Sequence, residues 1–129
     1  MHKNLKVLMI VVVTVLVMFP FVRRGAVLYQ YNQAIDRISI SEVNISDLPD
    51  GVYQGSYDAI LVTAEVKVTV KDGRITHIEY DHTHERGYRG EAVVPRVVDE
   101  QSLQVDTVSG ATDSGKVLLK AIEKALTGQ

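Results

Sequence analysis

Between Asp106 and Gly115 the chain reads DTVSGATDSG, with four small residues, Ser109-Gly110-Ala111-Thr112, set between acidic ones. A helical pattern, KVLLKAIEKAL, follows at once. A helix N-terminus presents free backbone N–H groups and a partial positive charge, which together favour phosphate. Gly110 and Ala111 leave the main chain open to close approach, and Thr112 puts a hydroxyl at that point. Asp106 and Asp113 would repel a free dianion. That argues against simple reversible phosphate binding and leaves room for a phosphate held covalently, as a diester of lower charge. The plainer alternative is a turn and cap, since Ser109, Thr112, Asp113 and Ser114 are all good N-cap types.

Such a loop needs elements to hold it. DGVYQGSYD alternates as a first strand. In AEVKVTVKDGRITHIEYDH, Val66, Val68 and Val70 point one way and Lys67, Thr69 and Lys71 the other. Asp72-Gly73 supplies the positive-φ pair of a tight hairpin turn. The step of three from Ile75 to Ile78 breaks strict alternation and predicts a bulge or a two-sided strand. EAVVPRVVDEQS puts Val94, Val97 and Val98 at helical spacing, with Pro95 tolerable only in the first turn. The last helix groups Leu118, Leu119, Ile122, Ala125 and Leu126 on an apolar face, and sets Lys116, Lys120 and Lys124 as a basic ridge read as solvated. The expected fold class is α+β, a small antiparallel sheet with two helices on one face, preceded by one N-terminal transmembrane helix.

Val7 to Val22 carries no charge and has Thr14 as its polar residue. Sixteen helical residues reach about 24 Å, short of the roughly 30 Å hydrocarbon core. Leu5 can extend the span, with Lys6 snorkelling at one end and Arg23 and Arg24 marking the other. FPFVRRGAV lacks the small-residue pattern of a cleavage site, so an uncleaved anchor is the expectation. The predicted organisation is an anchor over 1–24, a stalk or linker over 25–49, and a folded domain over 50–129. Lys3, Lys6 and the terminal amine nearly balance Arg23 and Arg24, so charge alone leaves the orientation open.

Beyond Arg24 the chain keeps ten of its 14 Lys and Arg and all 16 Asp and Glu, a formal charge of −6. An acidic domain without a basic stripe is a poor nucleic-acid binder. With no cysteine there is no disulfide, iron–sulfur cluster, CxxCH haem attachment or lipoprotein anchor. Any redox chemistry must rest on another group.

The residues VDTVSGATDSGKVLLKAIEKAL resemble the FMN-binding domain family, whose hallmark is Asp-x-x-Ser/Thr-Gly-Ala-Thr. Members include the flavin subunits of sodium-pumping quinone reductase and of the related Rnf electron-transport complex, and many small anchored proteins. DGVYQGSY, VTVKDGRITHIEY and HERGYRGEAVVPRVVDEQS resemble the family's opening strand, hairpin and first helix in order, so the likeness covers about Asp50 to Leu126. It implies FMN as cofactor, joined to Thr112 through a phosphoester and delivered from FAD by a flavin transferase. The candidate cofactor-binding set is Asp106, Ser109, Gly110, Ala111 and Thr112 with the following Asp113 and Ser114. Many members have Ser or Thr soon after the motif Thr; here Asp113 follows it and Ser114 comes next.

The resemblance further implies a domain on the extracytoplasmic side of the cell membrane, N-terminus inside. Its partners there would be membrane or extracytoplasmic redox proteins. A domain of this size cannot bury an isoalloxazine deeply, which suits an electron carrier better than a substrate-specific enzyme. The alternative is a cofactor-free, membrane-anchored interaction or sensory domain of the same fold. His82, His84 and Glu85 invite a metal reading, but with His77 and scattered carboxylates they fall short of a ligand set, and solvated loop residues are the expectation. Tyr88, in GYRG, could lie against a flavin or pack on the sheet. GSYDA offers a serine without a matching His and Asp.

Overall fold

The computed structural model describes residues 1–83, 88–107 and 111–128. The chain divides into two compact units, Met1–Gln33 and Ala34–Gln129.

The first unit lies within helix α1 (His2–Asp36), which is long and apolar enough to cross a membrane, with a mean hydropathy of 2.7 over its best window. Thr14, polar within the apolar run, donates from Oγ1 to the Ile10 carbonyl at 2.8 Å, so its hydroxyl is satisfied inside the helix. The helix runs on through Pro20.

In the second unit three strands, β1 (Gly51–Asp58), β2 (Thr63–Lys71) and β3 (Arg74–Thr83), form an antiparallel sheet in the order β1-β2-β3. Asp72 (φ 52°) and Gly73 (φ 70°) both take positive φ, as the tight turn between β2 and β3 requires. The three-residue step from Ile75 to Ile78 is a bulge: Val70 pairs with Ile75 while Thr69 pairs with His77, which leaves Thr76 as the extra residue. Both isoleucines thereby face inward and are buried. Ala64, Val66, Val68 and Val70 of β2 are buried beside them. The opposite face carries Gln54, Ser56, Glu65, Lys67, Glu79 and Asp81 and meets solvent.

A 3-10 turn (Tyr88–Ala92) leads into α2 (Val93–Glu100), with Pro95 in its first turn where its missing N–H costs nothing. The helix stops at Gln101, which takes a left-handed conformation (φ 52°). The Gln101 side chain accepts from the Ile75 N–H at 2.7 Å and donates to the Ile75 carbonyl at 2.8 Å, so one amide stands in for a strand partner at the start of β3.

The last helix, α3 (Thr112–Thr127), is the central element. Besides the expected apolar face, Val117, Ala121 and Glu123 are buried, because the helix is covered on more than its sheet side. Against the sheet it packs backbone to backbone: a Cβ placed on Gly55 of β1 would lie 2.4 Å from the Ala125 nitrogen. Residues 34–49, expected to close a stalk, belong to this unit, with Ile35, Ile38 and Ile45 buried. The Ser41 N–H donates to Glu123 Oε2 at 3.0 Å, and Lys120 donates to the Ser39 carbonyl and to Glu123 Oε1, each at 3.0 Å. The lysine ridge is therefore not a free solvated face: Lys120 is tied down this way, and the Lys124 ammonium lies 5.5 Å from the Tyr57 ring centroid.

Two substitutions check this packing. Gly55→Val should destabilise the domain by about 3 kcal/mol, since the helix backbone cannot yield to a new side chain. Glu123→Ala should cost about 2 kcal/mol by leaving Lys120 and the Ser41 N–H without their carboxylate. Urea unfolding followed by circular dichroism measures both, and an unchanged midpoint in either variant would count against the corresponding contact.

Candidate functional site

The site is the start of α3. Ala111 is its N-cap, with φ −134° and ψ 27°, and its methyl offers the helix no side-chain cap. The first helical bond runs from the Gly115 N–H to the Ala111 carbonyl at 3.0 Å. The N–H groups of Thr112, Asp113 and Ser114 therefore come before the ladder begins. Thr112 and Asp113 are exposed and Ser114 is half-buried. Asp106 is exposed and Thr107 half-buried on the strand-like approach to the motif. Ser109 and Gly110 of the predicted set lie outside the described residues, as do His84, Glu85 and Gly87 and the side chain of Tyr88.

Three segments hold this first turn from beneath. A Cβ on Gly90 of the 3-10 turn would lie 2.3 Å from the Ser114 Cβ, so only glycine lets that turn seat against the helix. A Cβ on Gly115 would meet the Thr107 methyl at 2.9 Å and a Val93 methyl of α2 at 3.1 Å. The end that presents Thr112 is thus supported by packing against Gly90, Thr107 and Val93. Two of the capping types singled out from sequence, Thr112 and Asp113, instead stand on the first turn with exposed side chains.

Charged residues from other elements reach the same region. Arg96 of α2 donates from Nη1 to the Asp106 carbonyl at 2.5 Å. It lines a polar cavity of about 400 Å³ with Glu100, Gln104, Asp106 and Thr107. Glu91, next to Gly90, accepts from the Tyr80 hydroxyl at 3.2 Å and faces His82 Nδ1 at 3.6 Å. His82 is not the solvated loop residue expected from HTHE. It lies in β3 opposite Ala64, on the face the helices cover, and its side chain is buried. Among the described residues no three His, Cys, Asp or Glu gather as a metal site.

Arg96, Glu91 and Thr107 were not legible as site residues. Arg96 sits in a short helical pattern, and nothing local indicates that it reaches ten residues ahead. Gly90 had a weak signal, as one glycine of the GYRG turn, without a stated role.

A small antiparallel sheet backs a helix that starts from an alanine N-cap and exposes Thr112 there, an arrangement suited to a phosphate-bearing group. The model of the FMN-binding domain family matches residues 62–127, half of the chain. The protein belongs to that family, and FMN is its cofactor. The match covers β2, β3, α2 and α3 but begins after β1. An uncharacterized protein of Treponema pallidum (strain Nichols) is 28% identical over 100 residues, which cover 74% of this chain and 28% of that protein. The chain thus spans little more than a quarter of that relative's length. No solved structure matches. The described residues suit the cofactor's phosphate: a helix start, the small Ala111 and Ser114, and the Thr112 hydroxyl.

Burial and the neighbouring Glu91 carboxylate, which also accepts the Tyr80 hydrogen bond, push the Tyr80 hydroxyl above its ordinary value near 10. Above a pH of about 10 the unfolded chain has lost a proton that the folded chain still holds, so stability must fall as pH rises through this window. Tyr80→Phe should remove that part of the slope in urea titrations between about pH 9 and about pH 11. An identical slope in the variant would mean that Tyr80 is not its source.

Proposed function

We propose that this protein is a membrane-anchored flavoprotein that carries FMN covalently on Thr112 and relays electrons between protein partners. The observation that carries the reading is an exposed Thr112 on the first turn of α3, next to an alanine N-cap, inside the matched family segment. Thr112 Oγ attacks the FMN-side phosphorus of FAD, the pyrophosphate bond breaks, AMP leaves, and the hydroxyl proton passes to a base of the flavin transferase. The product is a diester with one negative charge, which meets less repulsion from Asp106 and Asp113 than a free dianion. Ala111 and Ser114 supply small side chains and main-chain donors around it.

The bound flavin takes up one or two electrons, and the protein's part is to position and tune it. Thr112 stands at the surface, so its cofactor sits where a partner protein can approach. That favours a carrier over a closed catalytic pocket. The apolar helix supports anchorage of the domain at a membrane. The family likeness favours the extracytoplasmic side, with the N-terminus in the cytoplasm, redox partners in or at the membrane, and a flavin transferase for maturation.

Coexpression with a flavin transferase should raise the intact mass by FMN less one water and give a band that fluoresces on a denaturing gel. Thr112→Ala should show neither change, and Thr112→Ser should retain both at a reduced rate. A wild-type mass that stays at the polypeptide value under these conditions would remove covalent attachment.

A further inference from the structure

We propose that Arg96 is a positioning residue for the flavin-acceptor threonine, fixing the chain that enters the motif so that Thr112 is presented to the transferase. This rests on the covalent reading above. Arg96 stands half-buried on α2, at the margin of the face formed by the buried Val93, Val94 and Val97. Its Nη1 donates across ten positions to the main-chain carbonyl of Asp106, the first residue of the motif. A guanidinium bond to a carbonyl is charge-assisted and stronger than a neutral one.

The next residue is held in a different way. The Thr107 methyl packs where a Cβ on Gly115 would stand, one turn into α3. On the far side of the motif, the Ala111 carbonyl accepts the Gly115 N–H. Entry and exit of the motif are thus both referred to the first turn of α3, and the entry is also referred to α2 by Arg96. Of the two holds at the entry, the apolar one at Thr107 belongs to the core packing. The polar one is different: Asp106 is exposed, and water can satisfy its carbonyl if the guanidinium is removed. Loss of Arg96 therefore leaves the fold intact and loosens the approach to Thr112, and a small misplacement of a reacting group is costly to rate.

The test uses the full chain in detergent with flavin transferase and FAD, following the intact mass over time for wild type, Arg96→Met and Arg96→Lys. Methionine keeps an apolar stem without a donor; lysine restores one donor to the carbonyl. Arg96→Met should incorporate flavin on the order of 10-fold more slowly, with a thermal midpoint close to that of wild type, and Arg96→Lys should recover part of the rate. Amide exchange at Asp106 and Thr107 should quicken in Arg96→Met and not elsewhere in the domain. Equal rates for wild type and Arg96→Met overturn the positioning role while covalent flavin stands. A slow Arg96→Met whose thermal midpoint has also fallen, without rescue by lysine, assigns Arg96 to the fold and overturns the proposal. A wild type that gains no mass removes this proposal together with the covalent reading it rests on.

Discussion

The domain depends on how closely one helix approaches one strand. At Gly55 the backbone of β1 meets that of α3 with no space for a β-carbon, and Ala121 and Ala125 supply the facing surface. Such contact fixes the depth of the helix on the sheet more firmly than interdigitating long side chains could, because main chain cannot change rotamer. Once α3 is set at Gly55, the position of its N-terminus follows from its rise. Gly90 meets it there as closely, and Thr107 and Val93 pack against Gly115 at slightly longer range. The site is the far end of a helix whose middle is immobilised against the sheet.

A helix so placed buries more than one stripe. The sheet covers one side of α3, the 3-10 turn and α2 cover another, and residues 39–41 cover a third. This last cover explains a buried glutamate in a small core. Glu123 is held by Lys120 and by the Ser41 N–H, and a buried carboxylate is tolerable only with such partners. Residues 34–49 thereby become part of the folded unit, although their composition reads as a linker. The solvated sheet face carries Glu65, Glu79 and Asp81 beside Lys67.

The N-terminus of α3 is built in the opposite manner to its middle. Its N-cap is an alanine, which has no side-chain acceptor for the first N–H groups, and Thr112 is exposed beside it. A Ser, Asp or Asn at that position would stabilise the helix by about 1 kcal/mol. The family to which the chain belongs binds FMN. The chain supplies a firmly packed helix start with the Thr112 hydroxyl exposed on it.

What the sequence determined by itself was what short-range chemistry dictates. Alternation of Val66, Val68 and Val70 and the Asp72-Gly73 pair specified the hairpin, because pleat and turn are set by neighbours, while the Ile75–Ile78 step left a bulge or a two-sided strand for the sheet register to decide. The run of small residues before an amphipathic pattern placed Thr112 at a helix start for the same reason. Tertiary structure alone decided which residues come to that start from elsewhere. Arg96 reaching Asp106, Gly90 beneath Ser114, and His82 turned inward beside Glu91 each join different elements of the fold. The same holds for Glu123 and Ser41, 82 positions apart. No local pattern encodes such meetings: they follow from the register of the sheet and the depth of α3 upon it, which exist only once the chain has packed.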